Sequence, residues 1–178
     1  PLWLLKYLPN MPASHLAIYN DLRGPSNSLT VREASANIAL YEACRIIGRG
    51  WSDVMLTGAT GTRLHPMQIV HVIQNEEFAH GGEDPTRVSR PFDRDRTGQV
   101  LGEGAGTVVL EELEVAKKRG ATIYGEILGG ASSAVAGPRL VADRRQALEN
   151  VLSAALKQAD VSPDEVGFLH AHGLGGRT

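Results

Sequence analysis

Residues 90–106 read Arg90-Pro91-Phe92-Asp93-Arg94-Asp95-Arg96-Thr97-Gly98-Gln99-Val100-Leu101-Gly102-Glu103-Gly104-Ala105-Gly106. The stretch begins inside a region from Gly81 to Gly98 that is rich in glycine, proline and charge, and this composition predicts a long surface loop. Long loops inside compact domains are commonly functional. Residues 107–110 follow closely and are mostly β-branched and apolar, so the loop is predicted to lead into a strand.

Strands and helices are predicted to alternate on both sides of this loop. The predicted strands are 26–31, 53–58, 107–110, 123–128 and 166–170. The predicted helices are 34–47 with Ile38, Tyr41, Cys44 and Ile47 on its core face, 66–78, 111–119, and one that carries Leu148, Val151, Leu152, Ala155 and Leu156. Ser162-Pro163-Asp164-Glu165 matches a capping box. This alternation indicates an α/β domain with mostly parallel sheets, whose active groups lie at strand ends and helix starts, where Glu33 and His172 both fall.

The composition indicates one globular domain and argues against several kinds of partner. The 178 residues are 42% hydrophobic, which is enough for a sizeable core. The net charge is −2, from 18 basic and 20 acidic residues mixed along the chain, so neither nucleic acid nor a membrane is a predicted partner. The single cysteine, Cys44, allows neither an intramolecular disulfide nor a cysteine-based zinc site, and we therefore predict a cytoplasmic setting.

Three stretches, taken in order, carry a family pattern. They are Asn10-Met11-Pro12-Ala13-Ser14-His15-Leu16 with Leu22-Arg23-Gly24-Pro25-Ser26, then residues 90–106, then Ala171-His172-Gly173. They resemble the β-ketoacyl-(acyl carrier protein) synthase family of thiolase-fold condensing enzymes. The second stretch is similar to that family's Arg-Pro-Phe-Asp, Arg-Asp-Gly-Phe and Gly-Glu-Gly-Ala pattern, and it is the most specific of the three.

The resemblance implies a thiolase-like layered α-β-α-β-α fold made of two similar halves. A complete unit is more than twice as long as this chain, so we expect the chain to be its incomplete central part. Residues 1–110 would end the N-terminal half, and residues 111–178 would begin the C-terminal half. The start on Pro1-Leu2-Trp3 without methionine also suggests a piece cut from something larger. The family further implies a homodimer, or a heterodimer with an active ketoacyl synthase.

The resemblance also shows where the chemistry departs from the family. There, a cysteine at the start of a buried helix attacks an acyl thioester, and two histidines assist decarboxylation of a malonyl unit. An alignment without gaps places Glu33 at the nucleophile position. A carboxylate is a poor acyl acceptor from a thioester, because the product would be a reactive mixed anhydride. A purely structural role remains an equal alternative, since a negative charge at a helix N-terminus contributes about 0.3–1 kcal/mol.

His172 matches the first of the two catalytic histidines in that family. The resemblance implies that it donates a hydrogen bond to a thioester or enolate oxygen. Leu174, Gly175 and Gly176 follow it where the family has hydroxyl residues that contact the phosphopantetheine arm, so pantetheine binding is predicted to be weakened or rearranged. Thr97 and Gln99 also replace the family's usual aspartate and phenylalanine.

The remaining candidates for chemistry are a histidine pair and the lone thiol. His170 and His172 have a spacing compatible with a metal, but no nearby cysteine, aspartate or glutamate completes a set, so no metal site is predicted. Cys44 follows Glu33 by eleven residues. That separation is roughly 16 Å along a helix, too far for a substitute nucleophile. Cys44 is therefore predicted to be a small buried core residue.

The leading functional hypothesis is a non-condensing subunit of fatty-acid or polyketide assembly, similar to the chain-length-factor partners of active synthases. The alternatives are a malonyl-carrier-protein decarboxylase, or an active 3-oxoacyl-(acyl carrier protein) synthase, an acyltransferase, whose nucleophile is misassigned at Glu33. In each case the family implies an acyl carrier protein as partner. It implies no bound cofactor, because the substrates are carried on the phosphopantetheine of that carrier.

Overall fold

A computed structural model describes residues 8–82, 84–138 and 141–177. The opening Pro1-Leu2-Trp3 lies outside the described residues. The helices are α1 (Met11–Tyr19), α2 (Ser35–Gly48), α3 (Pro66–Asn75), α4 (Leu113–Lys118) and α5 (Arg144–Ala159). The strands are β1 (Val54–Thr62) and β2 (Glu103–Glu111), and short 3-10 turns cover Arg32–Ala34, Pro85–Arg87 and Pro163–Glu165. None of the helices within these ranges combines the length and the apolar character needed to cross a membrane.

The strands predicted at 53–58 and 107–110 are confirmed as β1 and β2, and the structure pairs these two strands with each other. A methyl group on Gly58 would lie 2.1 Å from the carbonyl oxygen of Gly106, so only glycine allows this approach of the two backbones. Just past β1, the N–H of Arg63 donates to the carbonyl of Gly102 at 3.1 Å. Partner numbers fall along β2 as they rise along β1, so the strands run antiparallel. The expected parallel arrangement does not hold for this pair.

Three predicted strands form no ladder. Residues 26–31, 123–128 and 166–170 are described, but none of them belongs to a strand. Their apolar side chains have the strand propensity that the prediction used, yet a ladder also needs a neighbouring backbone to supply hydrogen bonds. Tyr124 and Phe168 are 98% and 80% exposed, so these segments lack apolar cover as well as strand partners among the described residues.

The prediction of α2 is confirmed within one residue, but its most buried face differs from the predicted one. Ala43 and Ile46 are its buried residues, whereas the four residues predicted for the core face are only half-buried. The helix ends where predicted. Gly50 adopts φ +67, a left-handed conformation, and its N–H donates to the carbonyl of Ile47 at 2.8 Å.

The start of α3 at Pro66 is confirmed, but the helix ends at Asn75 rather than at Phe78. The reason is a tertiary contact, because Phe78 forms a parallel β-bridge with Gln99 that removes it from the helix. The capping box is also confirmed. The N–H and the hydroxyl of Ser162 both donate to the Glu165 carboxylate at 2.8 Å. It begins a single 3-10 turn rather than a longer helix.

The chain divides into two compact units, each made from two stretches of sequence. Unit 1 consists of Pro1–Ala59 and Gly106–Gly167, and unit 2 of Thr60–Ala105 and Phe168–Thr178. Ala43, Ile46 and Ala116 are the buried apolar residues described in unit 1, and Val72 on α3 is the one described in unit 2. Glu33 belongs to unit 1 and His172 to unit 2. The boundary between family halves after residue 110 stays a prediction.

Candidate active site

Glu33 lies on a tight turn that leads into α2. It is the middle residue of the 3-10 turn Arg32–Ala34, and α2 begins two residues later at Ser35. Arg32 adopts φ +56, in the left-handed region, which costs a residue with a side chain about 1–2 kcal/mol. The hydroxyl of Ser35 accepts a hydrogen bond from the N–H of Val31 at 2.9 Å and closes the turn. The structure therefore sets residue 33 at the mouth of a helix on strained backbone.

The Glu33 carboxylate lies beside the arginine that precedes it. Its Oε2 is 3.9 Å from Nε of Arg32. The Glu33 side chain is 29% accessible although the residue as a whole is exposed, so much of the exposed surface is backbone. The N-cap of α2 is Ala34, whose methyl group accepts no hydrogen bond. The helix thus starts without a side-chain cap at that position, and the negative charge of Glu33 is favourable near this helix start.

Cys44 is half-buried rather than a core residue, because it lies on the wall of an open cleft in unit 1. The cleft has a volume of about 290 Å³ and is lined by Tyr41, Cys44, Arg45, Gly48, Arg49, Ile127, Leu128, Gly129 and Gln158. Burial raises the pKa of the Cys44 thiol, and a backbone hydrogen bond only partly opposes this effect. The thiol is therefore protonated at neutral pH, and a protonated thiol is a weak nucleophile.

His172 is exposed, and the turn that follows it lies against the loop 90–99 of unit 2. A methyl group on Gly173 would lie 2.6 Å from Cε2 of Phe92. Gly175 is buried at φ +82, and a methyl group there would lie 2.5 Å from the carbonyl oxygen of Gly98. Only glycine fits both the backbone angle and the space at position 175. Leu174 is exposed and Gly176 half-buried.

Two arginines connect this turn to the same loop. Nε of Arg96 donates to the carbonyl of Gly176 at 2.7 Å, and Nε of Arg177 donates to the carbonyl of Arg96 at 3.0 Å. The N–H of Arg177 also donates to the Glu77 carboxylate. We call these contacts the arginine clasp. Sequence reasoning missed the clasp, although Arg96 matches the arginine of the Arg-Asp-Gly-Phe pattern, directly before Thr97.

Thr97, the first replaced residue of the family pattern, binds the backbone of one histidine at two points. Its hydroxyl donates to the carbonyl of His80 at 3.0 Å and accepts from the N–H of His80 at 3.1 Å. The hydroxyl thus holds the segment before the loop against the loop itself. An aspartate carboxylate at this position could accept from the N–H but not donate to the carbonyl.

Gln99, the second replaced residue, is 5% exposed and belongs to a polar cluster. Its side-chain amide donates to the Glu76 carboxylate, and Nη1 of Arg63 lies 3.4 Å from both the Glu76 and the Gln99 side-chain oxygens. Its backbone N–H donates to the carbonyl of Glu77 at 2.9 Å. The Gln99 amide therefore bonds to part-buried polar groups, and an apolar phenylalanine side chain would not supply this partner.

His170 and His172 are both exposed. Across residues 8–82, 84–138 and 141–177, no group of three or more histidine, cysteine, aspartate or glutamate side chains is arranged to hold a metal ion.

The fold is that of the thiolase-like ketosynthases. The chain superposes with a TM-score of 0.87 and 29% identity on a chain from the complex of a type II polyketide acyl-carrier protein with its ketosynthase bound to the hexaketide, covering 96% of this chain and 42% of that one. It superposes equally, at 0.87 with 30% identity, on a β-ketoacyl synthase from Burkholderia phymatum, covering 95% of this chain and 41% of that one.

The chain belongs to the β-ketoacyl synthase family. Residues 2–116 match the family described as "Beta-ketoacyl synthase, N-terminal domain", and residues 124–178 match "Beta-ketoacyl synthase, C-terminal domain". It is 36% identical over 97% of its length to the chloroplastic 3-oxoacyl-[acyl-carrier-protein] synthase I of Arabidopsis thaliana, and spans 37% of that protein. It is 34% identical over 97% of its length to 3-oxoacyl-[acyl-carrier-protein] synthase 2 of Synechocystis, and spans 42% of it.

Proposed function

We propose that this protein is a ketosynthase-family subunit of fatty-acid or polyketide assembly that performs no cysteine-dependent condensation. Its role is that of a chain-length-factor-like partner of an active synthase, in a homodimer or heterodimer. The observation that carries the proposal is Glu33 at the nucleophile position, on the strained turn at the mouth of α2. The gap-free alignment with the family assigns that position to Glu33, which is not a thiol.

Neither candidate nucleophile suits acyl transfer from a thioester. Attack by the Glu33 carboxylate would form a mixed anhydride, which is higher in energy than the thioester it replaces. Cys44 lies well inside α2, and burial keeps its thiol protonated. An active synthase with a misassigned nucleophile would need a reactive thiol, and Cys44 is the only cysteine in the sequence.

An acyl carrier protein is the partner that we propose for this chain. One solved neighbour is a ketosynthase in complex with its acyl-carrier protein. In this proposal, the phosphopantetheine of the carrier delivers the acyl group, and the protein needs no cofactor of its own. Leu174 and Gly176 offer no hydroxyl groups to that arm, so we expect weaker contacts on this side than hydroxyl residues would make.

Decarboxylation of a malonyl carrier protein is a weaker candidate function. Arg32 lies 3.9 Å from the Glu33 carboxylate and forms an ion pair with it. A carboxylate at this position would repel the malonyl carboxylate that must approach it. His172 would still offer a hydrogen bond to the thioester oxygen. The decarboxylase and the non-catalytic partner therefore differ in whether the malonyl carboxylate can approach Glu33.

The test is acylation followed by intact mass spectrometry. We expect the wild-type protein to remain unmodified after incubation with an acyl-thioester substrate analogue. Glu33→Cys in a Cys44→Ala background should gain the mass of one acyl group, and Glu33→Gln in the same background should gain none. A stable acyl adduct on the wild-type protein would overturn the proposal, and an unreactive Glu33→Cys would show that residue 33 does not hold the nucleophile position.

A second measurement separates the two candidate functions. We expect no release of carbon dioxide from malonyl carrier protein above the level seen with His172→Ala. Release that depends on His172 would identify a decarboxylase instead of a non-catalytic partner. Glu33→Gln is the variant that tests the repulsion between Glu33 and the malonyl carboxylate, because it removes the charge while keeping the size of the side chain.

A further inference from the structure

We infer that Arg96 is a positioning residue for His172, because it fixes the turn that directly follows this histidine. The inference comes from contacts within unit 2, where residues distant in sequence meet. Arg96 precedes Gly176 by 80 residues, and its guanidinium is part-buried where the two meet. Arg96 does not contact a substrate in this scheme; it acts through the backbone after the histidine.

The arginine clasp holds the turn from both sides. Arg96 donates from Nε to the carbonyl of Gly176 at 2.7 Å and from Nη1 to the carbonyl of Asp93 at 3.0 Å. A single guanidinium therefore connects the turn to its own loop. Arg177 returns the contact by donating to the carbonyl of Arg96 at 3.0 Å. Hydrogen bonds from a charged donor are roughly twice as strong as neutral ones.

Two further contacts restrict the turn close to the histidine. Gly173 lies against the ring of Phe92, which itself adopts φ +64, a left-handed conformation that is strained for a bulky residue. Gly175 lies buried against the carbonyl of Gly98. Contacts with the loop 90–99 thus hold the residues that lie one, three and four positions after His172. The backbone at His172 has little freedom left on its C-terminal side.

The contact requires the fork of an arginine rather than a positive charge alone. The planar guanidinium presents donors in fixed directions, and here they reach two carbonyl oxygens at once. A lysine at position 96 keeps the charge but offers donors from a single nitrogen. Arg94 on the same loop is the natural control, because its side chain is 94% exposed and its ion pair with Asp95 measures 3.8 Å.

The experiment follows the imidazole resonances of the labelled full chain by two-dimensional carbon–proton NMR. The cross-peak of His172 is assigned with His172→Asn, and His15 in unit 1 serves as the internal reference. In Arg96→Met, we expect the His172 cross-peak to move by more than its linewidth or to broaden, while that of His15 stays in place. Arg96→Lys should restore the peak only in part, and Arg94→Met should leave it unchanged.

The outcomes decide the inference in both directions. An unmoved His172 peak in Arg96→Met would overturn it, as would a full return to the wild-type position in Arg96→Lys. Equal displacement of both histidine peaks would also overturn it, because the role of Arg96 would then be general stability. If Arg96→Met does not fold, Arg177→Met removes the other half of the clasp from an exposed side chain and must move the same peak.

The importance of this contact for function depends on the proposed role of His172, but the contact itself does not. The resonances are measured without substrate, so a negative NMR result leaves the acylation test at Glu33 unaffected. Conversely, acylation of the wild-type protein would overturn the proposed function and leave the link between Arg96 and the histidine turn standing.

Discussion

At the scale of single residues, the Cys44 thiol is the group whose reactivity follows most directly from its surroundings. Burial raises its pKa above the ordinary value of 9.0. We expect alkylation by iodoacetamide at pH 7 to be slower in the folded protein than in urea, because a smaller fraction is thiolate. In the folded protein, the alkylation rate should still rise with pH above the range in which the thiol of the unfolded protein has finished titrating. Equal rates for folded and unfolded protein at pH 7 would contradict this expectation.

Gly175 is a second residue with a measurable requirement. Its backbone angle of φ +82 disfavours a side chain, and a methyl group would lie 2.5 Å from the Gly98 carbonyl oxygen. We expect Gly175→Ala to lower the free energy of unfolding by about 1–3 kcal/mol. Gly104→Ala, where nothing lies within 4 Å of the added methyl group, should change it by less than about 0.5 kcal/mol. Urea unfolding measures both, and similar losses in the two variants would refute the packing argument.

At the scale of elements, the end of α4 is tied back to the end of β2 by a bidentate ion pair. Nε and Nη2 of Arg119 donate to the Glu111 carboxylate at 2.7–2.9 Å. This contact lowers the pKa of Glu111 below its ordinary value of 4.5 and raises that of Arg119. Lys117 in the same helix likewise forms an ion pair with Glu114 at 2.8 Å.

The direction of the Glu111 shift fixes a dependence on pH. Because the folded pKa is lowered, the stabilising contribution is complete above the unfolded value of 4.5 and is lost as the pH falls through the folded pKa. Glu111→Gln should therefore reduce the loss of stability on acidification below that value. Urea midpoints from pH 7 down to pH 3 measure it. In an Arg119→Met background the same substitution should have no further effect, and a full effect there would assign the shift to another partner.

The elements also show what a sequence can and cannot predict. Both strands and the main helices follow from local periodicity and capping signals, and the capping box at Ser162 appears as expected. The early end of α3 does not, because Phe78 is drawn away by Gln99, which lies 21 residues further on. Strand predictions fail where apolar side chains have no neighbouring backbone, since propensity describes a residue and a ladder needs two segments.

At the scale of the whole molecule, the family was predictable and the contacts of the site were not. The Arg90–Gly106 pattern is a nearly contiguous string, so a resemblance can be read from it directly. The arginine clasp joins residues that lie 80, 81 and 100 positions apart in the sequence, and no periodic signal spans such distances. The positions of Glu33 and His172 were inferred by alignment, and their catalytic roles stay predictions for the acylation and carbon dioxide measurements.

The left-handed conformation of Arg32 has a consequence for anyone who wishes to modify this protein. The bend ahead of α2 is closed by a main-chain N–H and the Ser35 hydroxyl, neither of which belongs to residue 33. The hydrogen bond that closes this turn therefore uses no atom of the Glu33 side chain. A fluorophore or crosslinker attached at residue 33 would leave the Val31–Ser35 hydrogen bond in place and would report on the start of α2.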